Sequence, residues 1–155
     1  MEQGEPIFIG RLDTDYSLIV VMSSQLPKTD QMLVFHDILV ELADLRVLLI
    51  PADFLTDCHS TPPWSQSVLP AYDNKTNLAA MGHDRLYTDW EAFTDTYQEL
   101  LRLTPKAARA YADGVYLELM ERFNPGRFRN KIYYAGVRLF GWWNWRKFRS
   151  QAGKG

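Results

Sequence analysis

AAMGHDRLYTDW, residues 79–90, is where the chain changes character. Asn77 just before it can cap a helix, and the segment carries no proline, so it predicts a helix opening the second half of the chain. Upstream, PIFIGRL, YSLIVVM, MLVFHDILVEL and LRVLLI are rich in Val, Ile, Leu and Phe and read as strands. Gly10, Asp13-Thr14-Asp15 and Pro27 punctuate them, and Ala43-Asp44 is the expected turn of a hairpin joining VFHDILVEL to RVLLIP. Downstream, residues 91–103 continue an amphipathic pattern. Thr104-Pro105 is a cap followed by proline at the first helical position, and Asn124-Pro125-Gly126 is a stop. A last helix is expected from about Asn130 through YYAGVRLFGWWNWRKF. Strands followed by helices predict an α+β fold, with a small N-terminal antiparallel sheet and a helical remainder.

The 155 residues fit one domain spanning 1–155: strands over 1–56, a loop over 57–76 and helices over 77–150. Four prolines (Pro51, Pro62, Pro63, Pro70) lie in or just before that loop, and ordered loops of this length are usually functional. With 46% hydrophobic and 23% charged residues the composition is that of a globular chain, not a disordered one. The single cysteine, Cys58, rules out an internal disulfide and suits a reducing compartment. No apolar run approaches a membrane span, and MEQGEPIF is not a signal peptide, so synthesis and folding are expected in cytoplasm.

Net charge is −2 but unevenly spread. Residues 1–121 hold all 19 acids and 8 basic residues; residues 122–155 hold 9 basic residues and no acid. Such asymmetry fits contact with an anionic surface, or packing of the basic tail on the acidic body of its own chain or of a partner.

The helix over AAMGHDRLYTDW stacks His83 and Tyr87 four residues apart on one face, while Asp84 points about 100° away. One helix can thus present a base to a substrate and a carboxylate to a cation. Asp57, followed by a turn, could add a carboxylate and the carbonyls from Cys58 onward. Calcium takes six to eight such oxygens. His83 would take a proton from water, Asp113 on the next long helix would orient the imidazole, and Tyr87 could hydrogen-bond Asp113. His83 read alone is equally a helix-surface or core histidine, and Asp113 a solvated carboxylate. The apolar company of Tyr111, Val115, Tyr116, Leu117 and Leu119 favours a buried, partnered Asp113. Asp57, His59, His83 and Asp84 are also residue types that zinc or another transition metal would accept. Cys58 could act as a nucleophile, although nothing in the sequence lowers its thiol pKa. His36, beside Asp37 in a strand pattern, reads as structural.

The C-terminal WWNWRKFR admits three readings. Trp142, Trp143 and Trp145 with Arg146, Lys147 and Arg149 fit an interfacial helix end on a lipid membrane surface. They also fit stacking on single-stranded nucleic acid. The third reading packs the tryptophans in the protein's own core or in a partner or self-association interface.

In order, TDC, AAMGHDRLY, ADGVYLELM and IYYAGVRLFG resemble the blocks of bacterial secreted phospholipase A2, over roughly residues 55–141. That resemblance implies a phospholipase A2-like helical core and calcium held by Asp57 and Asp84, with carbonyls near Cys58. It also implies His83 as catalytic base, Asp113 as its partner and Tyr87 as the support of Asp113. The chain resembles more closely a domain-of-unknown-function family widespread in tailed phages and prophages. The blocks that carry this are PADFLTDCHSTP, HDRLY, RAYAD and VRLFG, and Asp53 stands where that family usually has glycine. Two expectations follow. One is a phage-encoded, calcium-dependent ester hydrolase acting on lipid. The other is a non-catalytic virion or tail component on the same scaffold, made in host cytoplasm and bound to another phage virion protein.

Overall fold

The structure, a computed structural model, describes residues 4–17, 20–21, 31–56 and 75–154. Among them six short strands come first: β1 (Ile7–Ile9), β2 (Val20–Val21), β3 (Met32–Val34), β4 (Ile38–Glu41), β5 (Val47–Ile50) and β6 (Leu55–Thr56). Four helices follow: α1 (Asn77–Thr88), α2 (Trp90–Thr96), α3 (Pro105–Phe123) and α4 (Phe128–Ala152), with a 3-10 turn at Gln98–Arg102 between α2 and α3. The fold is α+β. The loop expected at 57–76 lies almost wholly outside the described residues.

The expected single antiparallel sheet is two three-stranded sheets, β1-β4-β5 and β2-β3-β6. The second is antiparallel throughout, whereas the first is mixed, because β1 runs parallel to β4. The cause lies in VFHDILVEL, which is not one strand. It breaks at Phe35-His36-Asp37, where Asp37 satisfies two backbone donors itself. Its carbonyl accepts from Ile7 N–H and its Oδ1 from Ala52 N–H, both at 2.8 Å. Side-chain parity survives the break: Met32, Val34, Ile38, Val40 and Leu42 all face the core. His36 is held structurally there, its Nδ1 2.9 Å from the Glu5 carbonyl.

The β4–β5 hairpin turns at Ala43-Asp44 as expected, with Leu45 N–H on the Leu42 carbonyl and Leu45 at φ 69°. A left-handed residue closing a type I turn is the usual three-residue hairpin solution. Asp53 also has positive φ, 66°. A left-handed backbone is why glycine suits this position, and aspartate is among the few other residues that tolerate it.

The helical segment over residues 77–103 is interrupted where the sequence pattern ran on. Asp89 leaves the helix, and its carboxylate accepts from Ala92 N–H at 3.2 Å, ending α1 and capping α2. Asn77 is the first residue of α1 rather than its cap, which is Thr76. Thr104 caps α3 with Pro105 at its start, and Gly126 (φ 71°) lies in the turn after it. One hydrophobic cluster joins both halves, from Val34, Ile38 and Ile50 of the sheets to Leu78, Leu86, Leu119 and Met120 of the helices. α1 runs through its middle. A Cβ on Gly82 would lie 3.2 Å from Leu48 and 3.4 Å from Leu119, so the missing side chain lets α1 sit close to both β5 and α3.

Candidate functional site

α1, α3 and α4 meet around one carboxylate. Asp113, in the middle of α3, is fully buried. Its Oδ1 accepts from His83 Nε2 at 2.9 Å and from Tyr87 Oη at 2.6 Å, both on α1. Its Oδ2 accepts from Arg138 Nη1 of α4 at 2.7 Å, and Arg109 Nη1, one turn earlier on α3, stands 3.5 Å away. Arg109 also donates to the backbone carbonyls of Val137 (3.0 Å) and Arg138 (3.2 Å), tying α3 to α4 beside the carboxylate. The Tyr87 and Tyr116 rings pack on the imidazole at centroid distances of 4.2 and 4.7 Å. His83 keeps 7% of its surface exposed.

Burial alone would raise the pKa of Asp113, but the hydrogen bonds from His83, Tyr87 and Arg138 outweigh it and hold the carboxyl below the usual aspartate value. Burial raises the Tyr87 phenol, and its bond to the Asp113 carboxylate raises it further. The His83 imidazole is pushed below its ordinary value. Burial is the main cause and the Arg109 charge adds to it, against the pull of Asp113. One carboxylate facing two guanidiniums leaves little negative charge to favour an imidazolium. The lowered pKa favours the neutral ring at pH 7. Because an ionised carboxylate only accepts, Nε2 carries the proton and the lone pair lies on Nδ1.

Three residues that complete this site were not singled out as functional by sequence. Arg109 was readable, since it lies four residues before Asp113 on the same helix face. Arg138 lies 25 residues from Asp113 on another helix, and only tertiary packing brings it in. Gly141 is the third. A Cβ there would sit 2.6 Å from Tyr87 Oη, so α4 can approach this hydroxyl only through a glycine. Gly141→Ala is therefore expected to destabilise the protein by about 1–3 kcal/mol, the usual cost of overpacking. The cost should shrink in a Tyr87→Phe background, which lacks the clashing oxygen; thermal melts of the two single variants and the double variant check this.

Asp84 stands part-buried on a different side of α1. Its Oδ2 accepts from Thr56 Oγ1 at 2.5 Å, joining α1 to the end of β6, and Asp57 follows Thr56 directly in the chain. Among the described residues no three His, Cys, Asp or Glu side chains gather as a metal site. Asp57, Cys58 and His59 lie outside the described residues.

The C-terminal contact set divides. Trp142 and Trp143 are exposed, as are Arg146 and Lys147, with the Arg146 guanidinium 5.3 Å from the Trp142 ring. Trp145 is buried against Tyr87 (5.1 Å) and Trp90 (5.5 Å), which removes it from any surface contact. Arg149 is also turned inward. It lies over Trp145 at 4.7 Å and donates to the Tyr87 carbonyl at the end of α1 at 2.6 Å, where a cation complements the helix dipole. Among the described residues no helix is long and apolar enough to cross a membrane.

Compared with known families, the chain matches over residues 30–137 the model of a family described as a protein of unknown function (DUF1353). No curated protein matches it, and no solved structure does.

Proposed function

The chain belongs to the DUF1353 family, whose function is unknown, and we propose from its own residues that it is a hydrolase acting on carboxylic esters, lipid esters above all. The observation that carries this is the buried imidazole of His83, whose Nε2 lies 2.9 Å from Asp113 Oδ1, so that Nδ1 is the ring nitrogen not used by the carboxylate. In the proposed reaction a water at Nδ1 gives up a proton to His83 as its oxygen bonds to the ester carbonyl carbon. The resulting imidazolium returns that proton to the alcohol oxygen as the acyl–oxygen bond breaks. Asp113 holds the ring in the required tautomer, while Tyr87 and Arg138 hold Asp113. A calcium ion, if held by Asp84 with further oxygens from the segment beginning at Asp57, would polarise the carbonyl. The test is hydrolysis of short-chain phospholipid and simple acyl esters by the wild type and a His83 variant, with calcium and with chelator. Release of fatty acid that depends on His83 supports the reading; equal rates in both proteins would remove it.

A second reading, a non-catalytic component of a phage particle, is favoured by how completely the network around Asp113 is closed. Three hydrogen-bond donors and a further guanidinium on one buried carboxylate make a rigid joint among three helices whether or not a substrate ever meets His83. On that reading a His83 variant would leave partner binding unchanged.

A further inference from the structure

We propose that the outer face of α4 docks the protein onto an anionic lipid surface. The inner face of this helix is occupied: Tyr133, Gly141 and Trp145 are buried, the last two against Tyr87 of α1, and Arg138 reaches Asp113. The opposite face is apolar as well. At 100° per residue, Phe128, Leu139 and Trp143 fall on one stripe, and Phe140 lies beside it. These side chains are 75%, 66%, 67% and 74% exposed. A surface helix normally turns one apolar stripe inward and a polar face to water. A second exposed stripe of large apolar residues marks an interaction surface.

Charge decides among the occupants. α4 carries six basic residues and no acid. Arg138 and Arg149 are engaged with the protein's interior, whereas Arg129, Lys131, Arg146 and Lys147 are exposed. Two copies packed through this face would bring like charges together with no acid to answer them. An anionic bilayer complements every one of these cations at once. It also suits the indoles, which favour the headgroup level where one side of the ring is wet and the other apolar. Each cation near such a surface strengthens binding roughly fivefold, and salt weakens the effect. The proposal rests on α4 alone and is independent of the hydrolytic reading.

The experiment is co-sedimentation of the full chain with vesicles of phosphatidylcholine alone and of phosphatidylcholine mixed with phosphatidylglycerol. Stronger binding to the mixed vesicles, reduced by salt, is expected. Phe140→Ala with Trp143→Ala should lower it about tenfold or more, as should Arg146→Glu with Lys147→Glu. These side chains are exposed, so melting temperatures should stay near wild type. Failure to bind the mixed vesicles, binding indifferent to both double variants, or concentration-dependent self-association abolished by Trp143→Ala would each overturn the proposal, the last by giving the face to a second copy.

Discussion

Replacing Asp113 with alanine is expected to lower the melting temperature by about 6–12 °C. Asp113 is fully buried, and its removal strands the Arg138 guanidinium, the Tyr87 hydroxyl and His83 Nε2–H, with Arg109 left beside them. Breaking a buried ion pair by deleting one partner costs roughly 3–5 kcal/mol, because the other charge stays behind uncompensated. For a chain of this size each kcal/mol is worth about 2–4 °C. Arg138 keeps 26% of its side chain exposed and can partly rehydrate, which places the expected loss in the lower part of that range. Asp113→Asn retains acceptor and volume but not charge, and should fall between wild type and alanine. A thermal melt decides it; an Asp113→Ala protein melting within a degree or two of wild type would mean the network does not hold the three helices together.

His83→Gln is expected to reduce ester hydrolysis by about 10²–10⁴-fold, the usual contribution of a positioned general base. Glutamine can still donate an N–H toward Asp113 but cannot take a proton from water. The loss should therefore appear in kcat with KM little changed, since no substrate contact is removed by design. Glutamine also limits the cavity that alanine would leave between the Tyr87 and Tyr116 rings, so folding and chemistry can be separated in one variant. Steady-state kinetics beside a melt gives both readouts. Undiminished turnover in a folded His83→Gln protein would take the base role away from His83.

The two effects share one origin, in which three short blocks of sequence separated along the chain close on a single carboxylate. HDRLY supplies His83 and Tyr87, RAYAD supplies Arg109 and Asp113, and VRLFG supplies Arg138 and the gap at Gly141. The first block could be read from helical spacing, because residues four apart share a face. The helix boundaries at Thr104-Pro105 and Asn124-Pro125-Gly126 were equally plain, since proline and glycine act locally. Partners on different helices were not readable this way: nothing in VRLFG by itself says that Arg138 turns inward while Leu139 and Phe140 turn out. The basic, tryptophan-rich end shows the same limit. Its composition admits a contact surface or core packing, and only the structure separates Trp145 and Arg149, which belong to the interior, from Trp142, Trp143, Arg146 and Lys147, which do not. The sheets diverged from expectation at Phe35-His36-Asp37, where Asp37 takes over backbone donors and splits one apolar run between two sheets. Apolar parity is continuous there, so the pattern alone carries no mark of the break.

The most direct test is the titration of the His83 ring followed by nitrogen-15 NMR of the imidazole. The account predicts a midpoint below the ordinary histidine value of 6.5. It also predicts that the neutral ring carries its proton on Nε2 toward Asp113 and leaves Nδ1 bare. A midpoint above 6.5 would contradict the burial-dominated electrostatics of the site, and a neutral ring protonated on Nδ1 would contradict the base role, because His83 would then lack the free lone pair that a base in this position requires.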